Sequence, residues 1–594
     1  MNRFWPSLVC LLGLGALAAS AEQAADAVQP ESAGGAGFAS SVEAQAALEA
    51  KSAGRPVEAR DWMVAAANPL AVEAGAKILR AGGTAADAMV AVQAVLGLVE
   101  PQSSGLGGGA FLVWFDGQSG ELTTLDGRET APLAATPKLF LDTAGEPLGF
   151  FDAVVGGLSV GTPGTPALLE EAHARWGRAE WAGLFDDAIS LADGGFAVSE
   201  RMALMVAGDA ERLASHPATQ AYFLPDGAPL AQGVTLTNPD YAQTLRILAG
   251  QGAAPFYTGE IAADIVAAVQ GADNPGLLSA LDLSLYQVKE RAPVCATYRD
   301  HKVCGMGPPS SGALAVGQIL GILDNFNLPA LGPNDPQSWR LIGDASRLAF
   351  ADRGRYVADT DFVPVPVEGM LAPDYLKSRS DLLRRDNALP EATAGQPEFD
   401  HGQRFGDGDS FERPSTSHIS IVDSYGNALS MTTTIENAFG SRVMVRGFLL
   451  NNELTDFSFR TNSDGLPVAN RVEPGKRPRS SMAPTIVLRD GKPVLVVGSP
   501  GGSRIINYVA KTIIAHLDWG LDVQNAVSMP HLVNRFGAYD VELGTSAELL
   551  VPVLQQMGFE VSTRDLTSGL HAISISDTLK GGADPRREGI ALGE

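Results

Sequence analysis

A layered α/β fold with a central antiparallel sheet in its later portion is what this sequence predicts, and three features predict it. Two helix-like stretches, 69–81 (PLAVEAGAKILRA) and 86–100 (ADAMVAVQAVLGLVE), open the ordered part. Two pairs of short apolar runs, 418–423 (HISIVD) with 428–435 (ALSMTTTI) and 484–490 (PTIVLRD) with 492–498 (KPVLVVG), are each joined by a turn and read as hairpins. The chain of 594 residues is long enough for a large buried core.

Each element follows from local chemistry. Helical spacing over 69–81 is stopped by Gly82-Gly83. Thr84 can cap the next helix, which is apolar on nearly every face and so predicts burial. SSGLGGG then leads into the strand-like AFLVWF of 110–115. From about 160 to 385 helical segments alternate with polar loops. Residues 385–415 are polar, rich in Gly and Pro and without periodicity, and read as a mobile linker that ends at Thr416. A helix is expected over 505–517, after Ser499-Pro500-Gly501-Gly502-Ser503.

Arg3, the apolar run 8–19 and Ala19-Ser20-Ala21 make residues 1–21 a signal peptide. Residues 22–60, rich in Ala, Glu, Gly and Ser, are expected to be a mobile leader. A periplasmic or secreted location follows as an expectation, with no membrane span in the mature chain. Cys10 would leave with the signal. Cys295 and Cys304 flank a probable turn, and two readings stand: a disulfide or two separate buried thiols. The net charge of -25 argues against nucleic acid as a partner. No metal or cofactor motif stands out.

Two motif matches fail on context. Gly105–Ala110 matches G-x-G-x-x-A, but a helix precedes it and a strand follows, the reverse of a dinucleotide site. Gly157-Leu158-Ser159-Val160-Gly161 matches the nucleophile elbow, but further glycines and a Thr-Pro-Gly-Thr turn follow it, and no later histidine stands in a persuasive setting.

The segments that can carry chemistry lie elsewhere. A threonine hydroxyl needs a base, and Thr416 would gain one if the bond after Ser415 were cut, since its own α-amine would then stand beside it. Taken alone, Ser415-Thr416-Ser417-His418 reads as a Ser/Thr turn before a strand. The amides of Gly501 and Gly502 can face an oxyanion. Arg128 at the end of a strand suits a carboxylate, as do the hydroxyls of Ser480 and Ser481. Glu453 and Asp456 suit an ammonium group. Together they describe an acyl-transfer centre beside a clamp for an α-amino acid head.

These segments resemble the γ-glutamyltranspeptidase family. The matching pieces run from about Asn68 to the C-terminus in family order: NPLAVEAGAKILRAGGTAADA, SGLGGGAFLVW, DGRETAP, GPPSSGA, TSHISIVDSYGNALSMTTTI, GFLLNNELTDFS, KRPRSSMAPTIVLRDGKP, GSPGGSRI and GADPRREG. The resemblance implies a four-layer αββα N-terminal nucleophile hydrolase sandwich. It implies a precursor that cuts itself between Ser415 and Thr416 into a large subunit, 61–415, and a small catalytic subunit, 416–594, which stay together as a heterodimer. It assigns the nucleophile to Thr416, its orienting hydroxyl to Thr434, the oxyanion amides to Gly501 and Gly502, the α-carboxylate to Arg128, Ser480 and Ser481, and the α-amino group to Asp456 with Glu453 beside it.

Two departures from the family pattern matter. Glu436 stands where asparagine is frequent, adding a negative charge beside Glu453 and Asp456, so that one carboxyl pKa should rise. The stretch 457–479 looks shorter than the lid of some members and has no tyrosine or tryptophan, which suggests a more open site. The expected activity is hydrolysis and transfer of γ-glutamyl groups, with glutathione as donor and water, amino acids or dipeptides as acceptors. The alternatives are a glutaryl or cephalosporin acylase of the same family, and an exported binding protein that kept the fold and lost catalysis.

Overall fold

Alternation of apolar residues along the strands sorts them into two stacked sheets. The computed structural model describes residues 41–408 and 415–594; the signal-peptide reading of 1–21 lies outside these. Strands are numbered here as β1 (Val57–Ala59), β2 (Met63–Ala66), β3 (Gly109–Phe115), β4 (Leu122–Gly127), β5 (Lys289–Arg291), β6 (Val294–Tyr298), β7 (His301–Gly305), β8 (Ser417–Val422), β9 (Ala428–Thr434), β10 (Thr485–Arg489), β11 (Lys492–Gly498), β12 (His571–Ile575), β13 (Leu579–Ala583) and β14 (Ile590–Gly593). One seven-stranded sheet runs β14-β2-β8-β9-β3-β4-β5 and the other β1-β13-β12-β11-β10-β7-β6. Every pairing within them is antiparallel.

The period of two decides which way each side chain faces. Met63 and Ala65 of β2 meet Ile486, Val496 and Ile573 of the other sheet in an inner apolar layer. Val64 and Ala66 face outward, with Ile419, Ile421, Leu429 and Met431, onto α2 (Pro69–Arg80) and α3 (Ala85–Val99). On the far side Val487, Leu495 and Val497 face α4 (Gly312–Leu323), α5 (Pro336–Tyr356) and α6 (Ile505–Leu517). Three apolar layers thus separate helices, sheet, sheet and helices: the expected αββα sandwich.

The expected helices form where their caps lie. The Asn68 side chain accepts from Leu70 N at 3.0 Å. Thr84 and Asp87 form a capping box, and every residue of α3 is buried. The leader reading of 22–60 needs correction over its described part, residues 41–60; its residues 22–40 lie outside the described residues. Residues 42–52 form a helix, α1, capped by Ser41, and β1 follows. Ala44, Ala47 and Leu48 make a stripe at helical spacing that joins the outer apolar layer with Trp62, and small side chains suffice because the approach is close. Ordered chain therefore starts before Asn68. The polar stretch 385–408 lacks helix and strand, as expected, yet it is tied down. Ala388 N donates to Met557 O (2.8 Å), Leu389 N to Asp344 (3.0 Å) and Gly395 N to Asp352 (2.7 Å).

Of the two readings for the cysteines, the disulfide is the one observed: Cys295 and Cys304 face each other across the β6–β7 hairpin and are bonded. Both motif mismatches also resolve into packing. Ser159 is buried and its hydroxyl donates to Val154 O at 2.8 Å. In the glycine run, a Cβ on Gly107 would lie 2.1 Å from Leu449 O and one on Gly108 1.9 Å from Thr434 O. These glycines exist because backbones touch there. Gly108→Ala is accordingly expected to displace the end of β9 and slow formation of a fragment starting at Thr416 by at least about tenfold, roughly 1.4 kcal/mol in barrier. A time course on denaturing gels at the wild-type rate would refute this.

Candidate active site

The β8–β9 hairpin sets the geometry. Its register pairs Ser417 with Thr433, so one step further places Thr416 beside Thr434, and their hydroxyl oxygens lie 3.1 Å apart. Thr434 Oγ1 also accepts from Glu436 N at 2.9 Å, which leaves its proton or second lone pair for Thr416. Thr416 has φ of 96°, a left-handed value that a β-branched residue adopts only under constraint.

On the other side of Thr416 the carbonyl of Ser415 accepts from Gly501 N at 3.2 Å. Gly501 and Gly502 have φ of 132° and 56°, left-handed values that glycine allows, and a Cβ on Gly501 would lie 2.7 Å from the Tyr508 ring. The carbonyl that precedes the threonine therefore already sits on an amide suited to an oxyanion.

Arg128, Thr416, Thr434, Glu436, Glu453, Asp456, Ser480, Ser481 and Gly502 line one small cleft with Met482 and Ile505. All the residues singled out by sequence thus come together, Gly501 joining through Ser415. Gly502 apart, none of these residues is more than 4% exposed. The expectation of a more open site does not hold in this uncut chain. Phe457 and Phe459 fold inward, Phe459 stacking on Phe140 at 4.5 Å, and Val468 and Val472 are buried too, so 457–479 tucks in without a tyrosine or tryptophan.

Arg128 is the electrostatic centre. It leaves β4 where its amide donates to Asp126 (2.9 Å), and its guanidinium donates to the carbonyls of Pro478 (3.2 Å) and Arg479 (3.0 Å). The remaining donors meet Glu453 and, at 2.5 Å, Asp456. Ser480 is held by exchange with the turn before α4, Ser480 N donating to Pro309 O (3.0 Å) and Ser311 N to Ser480 O (2.7 Å). Ser481 Oγ accepts from Arg353 of α5 at 2.9 Å.

Three groups here were not singled out by sequence. Arg353 acts on Ser481 from another helix. Asn452 donates to Glu436 Oε2 at 2.5 Å. Glu129, fully buried, stands 3.9 Å from the Arg128 guanidinium. Glu129 sits inside the DGRE segment next to Arg128, and its adjacency was the available signal. Burial pushes its carboxyl up to about 8 against the pull of Arg128. Burial likewise raises Glu453 well above the usual range, Arg128 opposing and Glu129 and Glu436 adding to it. The expected rise of one carboxyl pKa is thus present, on a Glu129–Glu453 pair that keeps a proton. Among the described residues no cluster of His, Cys, Asp or Glu is placed to hold a metal ion.

The family model described as Gamma-glutamyltranspeptidase matches residues 71–594. This chain belongs to the γ-glutamyltranspeptidase family. The glutathione hydrolase proenzyme of Bacillus subtilis (strain 168) is 39% identical over 548 residues, 90% of this chain and 92% of that protein. The cephalosporin acylase of Bacillus halodurans superposes with a TM-score of 0.80 at 25% identity, over 91% of this chain and 97% of that one. The γ-glutamyltranspeptidase of Helicobacter pylori gives 0.54 at 36% identity, over 56% of this chain and 96% of that chain. These neighbours bear out the N-terminal nucleophile hydrolase sandwich.

The protonated pair gives a signed pH dependence. Glu129 ionises near 4.5 when unfolded and near 8 when folded. Between those values the unfolded state has shed its proton and the native state has not, so stability falls as pH rises. Glu129→Gln removes that loss. In denaturant titrations its unfolding free energy should gain on the wild type's from about pH 5 to about pH 8; parallel pH dependence in the two proteins would contradict the assignment.

Proposed function

We propose that the chain is a self-processing γ-glutamyl hydrolase and transferase that uses Thr416 twice. The observation that carries this is the placement of the Ser415 carbonyl on Gly501 N, next to a Thr416 hydroxyl held by Thr434. In processing, Thr416 Oγ1 attacks the Ser415 carbonyl carbon and the negative charge develops where Gly501 N–H donates. The C–N bond breaks, the nitrogen takes the proton, and water hydrolyses the resulting ester. Ser415 is left with a carboxylate and Thr416 with a free hydroxyl and α-amine. That amine then serves as the base in turnover.

In turnover a γ-glutamyl amide takes the place of the Ser415 carbonyl. Arg128, Ser480 and Ser481 hold its α-carboxylate and Asp456, with Glu453 and Glu436, its ammonium group. The hydroxyl attacks the γ-carbonyl, the amine leaves with a proton, and water or an acceptor amino acid or dipeptide resolves the ester. Glutathione is the donor that fits. A glutaryl group offers no ammonium, and Glu453, Asp456 and Glu436 would face it unmatched, which favours the α-amino acid head over the acylase alternative.

The products would be a large subunit that ends at Ser415 and, with α1 and β1, begins before residue 61, and a small one, 416–594. Strands β8 to β14 of the small subunit lie between and beside strands of the large one in both sheets, which supports a heterodimer that stays assembled. The Cys295–Cys304 bond supports an oxidising, periplasmic or secreted location. No helix of the described residues is long and apolar enough to cross a membrane.

Mass spectrometry of the purified protein should find a fragment beginning at Thr416. Thr416→Ala should abolish both that fragment and release of glutamate from glutathione, a loss of about 10⁴-fold or more in turnover. A single uncut species in the wild type, or activity surviving in the variant, would sink the reading. Gly501→Ala, which sets a Cβ against the Tyr508 ring at a φ suited to glycine, should shift the amide it carries and lower both rates by about 10²-fold, and wild-type rates in that variant would contradict its role.

A further inference from the structure

One buried cation touches the nucleophilic residue from outside the cleft. Residues 584–589 cross from β13 in one sheet to β14 in the other, over the end of the sandwich where β8 begins. Arg587 in this strap, 1% exposed, donates Nη1 to the carbonyl oxygen of Thr416 at 3.1 Å. The strap is pinned on several sides. Glu588 accepts from Asn68 Nδ2 (3.4 Å) and Arg201 N (3.3 Å). Asp584 accepts from Leu570 N (3.1 Å), and Arg586 pairs with Glu542 (2.5 Å). A Cβ on Gly589 would meet Ala66 O at 2.5 Å, so the strap lies directly on β2.

Its last attachment comes from the far end of the chain. Lys51 Nζ donates to Arg587 O at 2.9 Å and to Gly589 O at 2.6 Å. Lys51 is in the last turn of α1, a helix that precedes the residues matched by the family model. Burial lowers the Lys51 ammonium to about 8, against Asp584 and Glu588, which favour its charge.

Cleavage before Thr416 makes it a chain end, and chain ends fray unless tied. A nucleophile displaced by about 1 Å can lose about 10²-fold in rate. The carbonyl of Thr416 is the first backbone group past the cut, and a charge-assisted hydrogen bond holds it. We infer that Arg587 is a positioning residue for Thr416, and that α1 acts through Lys51 as a latch on the strap that carries it. This rests on Thr416 being the nucleophile.

The test uses the full chain with Arg587→Gln, Arg587→Lys and Lys51→Met. Fragment formation is followed by mass spectrometry, and kcat and KM for glutathione are measured on cleaved protein, with melting temperatures alongside. Arg587→Gln should lower kcat by about 10²-fold at unchanged KM, slow self-cleavage and leave the melting temperature near the wild type's, with Arg587→Lys recovering much of the loss. Lys51→Met should lower kcat by about tenfold in the same pattern. Wild-type kcat in Arg587→Gln, or a loss shared between kcat and KM and accompanied by early melting, would overturn the inference. If Arg587→Gln does not fold, Lys51→Met decides, and an unchanged kcat there overturns the latch. Failure of the underlying reading would look different, as cleavage before residue 416 persisting in Thr416→Ala.

Discussion

The hydrogen-bonded contact of Thr416 with Thr434 is the constraint on which the rest of the site depends. It exists because β8 and β9 pair in one register and because Gly107 and Gly108 let two neighbouring backbones close in behind β9. A slip of one residue would turn every side chain of β8 to the opposite layer and take the Thr416 hydroxyl away from Thr434. The inner and outer apolar layers forbid that slip, since Ile419 and Ile421 must face the helices. The large hydrophobic interior therefore does more than stabilise; it holds a small polar contact in place.

The recognition side obeys a different constraint, that of charge in a dry place. Arg128 faces Glu453, Asp456 and the nearby Glu129, with Glu436 close to Glu453. Removing so many carboxylates from water is costly unless some remain protonated or a cation enters. The raised carboxyl pKa values of Glu129 and Glu453 meet part of that need. A zwitterionic ligand would meet it differently, its ammonium answering the acids and its carboxylate competing for the guanidinium. Binding would then be an exchange of partners around Arg128 and not an addition to it.

Much of this was legible in the sequence, for identifiable reasons. The hairpins show in short apolar runs joined by turn residues, and Asp490 and Gly491 take the positive φ values their turn requires. The helices α2 and α3 announce themselves by Asn68 and Thr84. Thr416 stood out only through the company of distant segments, since Ser415-Thr416-Ser417 is unremarkable as local chemistry. What stayed hidden was tertiary. Helix α1 buries so few and such small side chains that its composition resembles a disordered arm. Arg353 and Arg587 look like surface cations until folding brings α5 behind Ser481 and the last strap over the start of β8. The inward fold of Phe457 and Phe459 depends on Phe140, more than three hundred residues earlier in the chain.

The way the two segments share their sheets has a further consequence. Before the cut, the fold is the property of one chain, and a molecule that unfolds can return alone. After the proposed cut before Thr416, neighbouring strands would belong to two molecules that drift apart when unfolded, so recovery would require an encounter between partners and depend on their concentration. Maturation is in that sense a one-way gate. The precursor carries the folding information, and the working enzyme lives on the height of its unfolding barrier.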